Sequence, residues 1–134
     1  MREQSVFLMK RIVMGGRAML VRNYLTIGLS ETEAMHDGIG KAMHATVFGR
    51  DDFKSGISFL NRTILAAGSS IGLHTHGDDE EIYMVLEGNG KMTVNGEIRD
   101  VTSGDIIVNP PFGTHGLENG PDGDMRLLVW EVRK

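Results

Sequence analysis

Apolar and polar positions alternate along most of this chain with a period of two, in short runs broken by glycine, asparagine and aspartate, and they scarcely recur at helical spacing. The longest run covers 57–67, where Phe59, Asn61, Thr63 and Leu65 share one face while Ser58, Leu60, Arg62, Ile64 and Ala66 share the other. Further strands are expected at 42–48, where His44 breaks the alternation, and at 91–94 and 97–101 on either side of an Asn95-Gly96 hairpin turn. Another, at 105–109, leads into the Pro110-Pro111 corner. In 80–86 the alternation fails: Glu81, Tyr83 and Val85 lie on one face, but Ile82, Met84 and Leu86 make the opposite face apolar as well. Leu127-Leu128-Val129-Trp130 has the same two-sided character. Strands apolar on both faces need a cover, a second sheet or a second subunit. The pattern predicts an all-β fold of two packed sheets and favours a homodimer.

The beginning of the chain is less regular. Short strands are expected at 11–13 and 18–24, split by Gly15-Gly16, either at the edge of the chain's own sheet or against a partner subunit. Within 25–41, Ser30 offers a helix N-cap for a single turn ending near His36. This divides the chain into a leader, 1–40, and a barrel domain, 41–134.

Composition narrows the classes of function. At 134 residues the chain buries a core without covalent staples, and the absence of cysteine rules out disulfides and thiolate metal sites. A net charge of -4 with no basic block argues against nucleic acid or an anionic membrane as partner and leaves a small molecule. No apolar stretch is long enough to span a bilayer and no signal peptide is recognisable, so a cytoplasmic location is expected.

The candidate chemistry lies in 68–88. His74 and His76, two apart in an extended run, leave the same face of a strand and converge on one point. Gly77, Asp78 and Asp79 supply a turn that brings Glu81 beside them, and His115, after the proline corner, is the natural fourth ligand. Asp78, Asp79 and Glu80 are expected to be solvated on that turn; Glu80 competes with Glu81 as ligand, but parity with Tyr83 favours Glu81. Three imidazoles and a carboxylate suit a divalent transition metal (Mn, Fe, Co, Ni or Zn) and disfavour Ca, Mg and Cu(I). A six-coordinate ion held by four side chains keeps two adjacent positions for water, substrate or dioxygen.

These residues carry a resemblance to the cupin family. Its first motif, Gly-x5-His-x-His-x4-Glu-x6-Gly, is filled by Gly68, His74, His76, Glu81 and Gly88. Its second, Gly-x5-Pro-x-Gly-x2-His-x3-Asn, is filled by Gly104, Pro110, His115 and Asn119, except that Phe112 stands at the glycine position and Gly113 follows. The resemblance implies a double-stranded β-helix, or jelly-roll barrel, with the metal near one end of its interior. Oxalate-decarboxylating members usually have two such domains and an arginine three residues before the first motif histidine; Ile71 occupies that place. Metal-free sugar epimerases lack the quartet, and thiol dioxygenases lose the glutamate. The resemblance thus implies a small metal-binding cupin, either a metalloenzyme for an oxygen-rich small molecule (dioxygenase, isomerase or decarboxylase type) or a non-catalytic binding module for a sugar or small organic acid.

Other side chains have two readings each. Tyr83 shares the face of Glu81, as a proton donor or as an aromatic filling the barrel. Arg62 either binds a substrate carboxylate or is an exposed strand arginine. His36 and His44 either touch substrate at the barrel mouth or simply pack at the surface. Trp130 and Phe112 are apolar walls or core.

Overall fold

The computed structural model describes residues 18–134, and the strand expected at 11–13 lies outside them. Ten strands follow one another: β1 Ser30–Glu33, β2 Lys41–Phe48, β3 Ile57–Leu65, β4 Ser70–Thr75, β5 Asp79–Glu87, β6 Asn89–Val94, β7 Glu97–Thr102, β8 Ile106–Asn109, β9 Thr114–Asn119 and β10 Met125–Arg133. Among the described residues helix is confined to two single 3-10 turns, Met35–Asp37 and Arg50–Asp52. One sheet has six strands in the order β1-β2-β3-β10-β5-β8 and the other four, β4-β9-β6-β7, every pairing being antiparallel. The all-β expectation therefore holds. The two sheets face each other as in a jelly roll, but no ladder of hydrogen bonds joins them into a closed barrel among the described residues.

Strand register explains how the core and the site divide the interior. Leu65 lies beside Met125, and Leu127 beside Val85, forming an apolar floor in the six-stranded sheet. Ile71, Met92, Val101 and Leu117 of the other sheet close onto that floor. One row further along β10, Val129 has Asn61 and Tyr83 as neighbours; beyond it, Glu131 lies between Phe59 and Glu81, and Glu81 lies opposite Asn109. The interior is thus apolar at one end and increasingly polar toward the other. This places the hydrophobic contribution to stability away from the titratable groups.

Turn chemistry fixes these registers. Asn95 and Gly96 both have positive φ, 48° and 82°, the backbone that a two-residue hairpin between twisted strands demands. Asn119 donates from Nδ2 to the carbonyls of Leu65, Ala66 and Gly123 at 2.8 to 3.1 Å, tying the end of β9 to that of β3. At the proline corner Phe112 takes the left-handed conformation, φ 58°, and its amide donates to the Gly77 carbonyl. Its ring is 69% exposed and forms no wall of the site.

Two stretches depart from expectation. Residues 18–24 are not a strand; the neighbouring segment crosses the outer face of β2 and β3, with Arg22 bonded to the Val47 carbonyl and Asp52. Side-chain contacts replace the ladder. Ser30, expected to cap a helical turn, instead opens β1, which pairs with β2, and the turn begins only at Met35. Trp130 sits opposite Leu60 and Ile82 on the outer face of its sheet, away from the site.

Candidate metal centre

β4 and β9 lie side by side, with His74 directly opposite His115. A bulge between Ile71 and His74 is decisive here. Strict alternation would put Ile71 and Leu73 on one face; the extra residue sends Leu73 out, 63% exposed, while Ile71, His74 and His76 turn inward. His76 follows β4 but stays extended, its amide bonded to the Gly113 carbonyl. Glu81 comes from the facing sheet and is 7% exposed; parity on β5 points it inward with Tyr83 and Val85.

One donor atom from each of His74, His76, Glu81 and His115 falls within 4.8 Å of the others. The second nitrogens of the first two rings are already committed. Nδ1 of His74 donates to the Gly72 carbonyl at 2.7 Å and Nδ1 of His76 donates to Asp79 at 2.7 Å, which leaves Nε2 of each for the common point. Nε2 of His76 is buried and without a hydrogen-bond partner among the described residues. Glu81 Oε1 lies 3.1 Å from His115 Nε2 and 3.6 Å from His76 Nε2. An orphaned ring nitrogen facing a carboxylate and two further imidazoles fits a borderline divalent cation in donor type and number. Burial, against the Gly72 bond, drives the His74 pKa down to about 4, keeping that ring neutral and able to ligate.

Asp79, expected to be solvated, is instead tucked behind His76, its side chain 12% exposed. Asp79 also shares a hydrogen bond with Glu131. Burial, then Asp79, pushes Glu131 up, while the Glu131 bond, then His76, holds Asp79 down, so of the pair Asp79 is the one that favours the anion. His76, Asp79 and Glu131 also form a group close enough to hold a metal, but with His76 Nδ1 donating to Asp79 they buttress the histidine instead. Neither carboxylate was legible as a site residue. The available signal was parity: Glu131 shares the inward face of Leu127 and Val129.

A cavity of about 200 Å3 opens beside Glu81, lined in part by Tyr83, His36, His44, Asn61 and Ile71. Tyr83 is 3% exposed, its hydroxyl 3.4 Å from His115 Nε2 and hydrogen-bonded to Glu81; burial, then the Glu81 charge, raises its pKa well above the ordinary value. His36 stacks on His74, centroids 3.7 Å apart at 8°. The turn bearing it rests directly on β4: a Cβ on Gly72 would overlap the His36 carbonyl, and one on Gly38 the Ser70 carbonyl. His44 Nε2 pairs with Thr32 Oγ1 at 2.8 Å. Arg62 points the other way. It is 8% exposed, bonded to the Tyr24 carbonyl at 2.9 Å beside the Tyr24 ring, so it neither lines the cavity nor stands free in solvent.

The cupin-domain family model matches residues 61–131, more than half of the chain and including His74, His76, Glu81 and His115. The chain belongs to the cupin family. Similar proteins include an uncharacterized protein of Methanocaldococcus jannaschii, 41% identical over 69 residues, a match spanning 52% of this cupin and 55% of that protein. An oxalate-binding protein of Thermotoga maritima is 29% identical over 114 residues, 85% of this chain and 93% of that one. Among solved structures, a predicted oxalate decarboxylase of T. maritima superposes with a TM-score of 0.82 at 28% identity, covering 87% of this cupin and all of that chain. A cupin 2 conserved barrel domain protein of Salinispora arenicola, at 19% identity and TM-score 0.67, shares the fold. In this cupin no helix of the described residues is long and apolar enough to cross a membrane.

Proposed function

We propose that this cupin is a metal-dependent enzyme for a small oxygen-rich acid, with His74, His76, Glu81 and His115 holding one divalent ion of the Mn, Fe, Co, Ni or Zn group. The observation that carries this reading is the buried, unpartnered Nε2 of His76 facing Glu81 and His115. When bound, the metal supplies Lewis-acid polarisation to a chelated carboxylate. The chain supplies the rest. Asp79 and the Gly72 carbonyl fix the tautomers of His76 and His74, and Tyr83, protonated at neutral pH, bonds Glu81 and is the candidate for proton transfer to substrate. Titratable groups on the cavity wall, His36, His44 and Tyr83, favour catalysis over a purely structural ion. Oxygen insertion, isomerisation and decarboxylation are the reaction types that suit such a centre.

The second reading, a non-catalytic binding module, draws on the T. maritima relative described as oxalate-binding. The half-buried outer row of Ile82, Met84, Leu86, Leu128 and Trp130 supports a homodimer, and a cytoplasmic location completes the proposal. Elemental analysis of protein purified without added metal, alongside His76→Ala, tests the centre. We expect about one transition-metal equivalent in the wild type and a large loss in the variant. No metal in either, with no thermal stabilisation on adding Mn, Fe, Co, Ni or Zn salts, would overturn the proposal. Turnover of small acids by the loaded protein, under air and under argon, separates the enzyme from the binding module.

A further inference from the structure

Resting on the reading of this site as an acid-binding metal centre, we infer that Asn61 reads a hydroxyl group on the far end of the ligand, so that the ligand is a short sugar acid and not a bare dicarboxylate. Three observations carry this. Asn61 lines the cavity beside Glu81, and its Oδ1 is buried without a hydrogen-bond partner among the described residues. An orphaned buried acceptor is destabilising, a penalty that a ligand donor relieves. Among the described residues the wall contains no lysine or arginine: Arg62, the cation on the same strand, is turned to the outer face and spent on the Tyr24 carbonyl. A second carboxylate would therefore enter without a permanent countercharge, whereas a neutral hydroxyl meets an acceptor.

Reach sets the length of the ligand. Asn61 and Tyr83 flank Val129 in one row of the sheet, and Glu81 lies in the next row on the strand of Tyr83. Two strand spacings of about 4.8 Å separate β3 from β5, and the side chains lean into the space between. A two-carbon acid chelated beside Glu81 falls short of Asn61. A chain of about four carbons spans the gap. His44 and Thr63, opposite each other on β2 and β3 and both on the cavity wall, are placed to receive an additional hydroxyl.

The test is calorimetric titration of the metal-loaded protein with threonate and with α-hydroxybutyrate. The two share a chelating end and a four-carbon length, and differ in the hydroxyls beyond it. We expect threonate to bind about tenfold more tightly, and the ratio to fall to about one in Asn61→Leu, a near-isosteric change that removes the acceptor. Oxalate, which engages only the metal end, is expected to bind wild type and variant alike, showing that the variant is folded and loaded. Equal affinity for the two four-carbon acids in the wild type would overturn the inference, as would a preference for threonate that persists in the variant. Failure of oxalate and both acids to bind protein shown by elemental analysis to hold metal would instead refute the acid-binding reading, and the inference with it.

Discussion

Nδ1 of His76 donates to Oδ2 of Asp79 at 2.7 Å, three residues further along the chain, and this contact decides which nitrogen of the ring faces Glu81. An imidazole held by a carboxylate is both oriented and made more basic, and loss of such a partner typically costs about 10–100-fold in metal affinity. Asp79→Ala is therefore expected to weaken metal binding by that order while leaving stoichiometry and fold intact. Competition against a chelator of known affinity measures it. An unchanged affinity would show that the strands alone hold the ring.

Stability of the metal-free protein is expected to depend on pH through His74. Its folded pKa, about 4, lies below the ordinary histidine value of 6.5, so between these values the unfolded chain binds the proton more readily than the native one. The contribution is full above 6.5 and is lost progressively as pH falls toward 4. Thermal melts of metal-free protein across that window should show Tm falling with pH, with a shallower slope in His74→Phe. Equal slopes would assign the effect to other groups.

Phe112 occupies a left-handed position where a side chain costs about 1–2 kcal/mol relative to glycine, and its ring is mostly solvent-exposed. Phe112→Gly is expected to stabilise the fold by about 1 kcal/mol, read as a raised Tm with metal content unchanged. A lowered Tm would mean that the exposed ring is covered in the assembled protein.

How much of this was legible beforehand follows strand parity. The shared face of Glu81, Tyr83 and Val85 could be read from strand parity once Glu81 was taken as the ligand, because β5 is regular up to its last residues. The Asn95-Gly96 turn and the strands around it were equally open to reading, since local backbone preference and tertiary pairing agree there. Residues 18–24 read as a strand from their apolar run, but Met19, Leu20 and Val21 are exposed and the stretch is held by Arg22 and the Tyr24 carbonyl without joining a ladder, which composition does not announce. Ser30–Glu33 was missed for the opposite reason: an edge strand buries little, so its polar residues carry no alternation. Parity put Glu131 on the inward face but not beside His76; the Asp79–Glu131 pair and the His36 stack were out of reach because they depend on partners distant in sequence or on a left-handed turn that residue type does not announce.

The position of β10 between β3 and β5 has a consequence for biosynthesis. Glu81 and the histidines are translated well before Met125–Arg133, yet the six-stranded sheet that points Glu81 inward has a gap at its centre until that last strand inserts. Such late, long-range pairing is slow to form, and it leaves β3 and β5 with unsatisfied edges on the nascent chain. The candidate metal pocket is thus assembled only once Met125–Arg133 has been made and inserted, in the same step that completes the sheet.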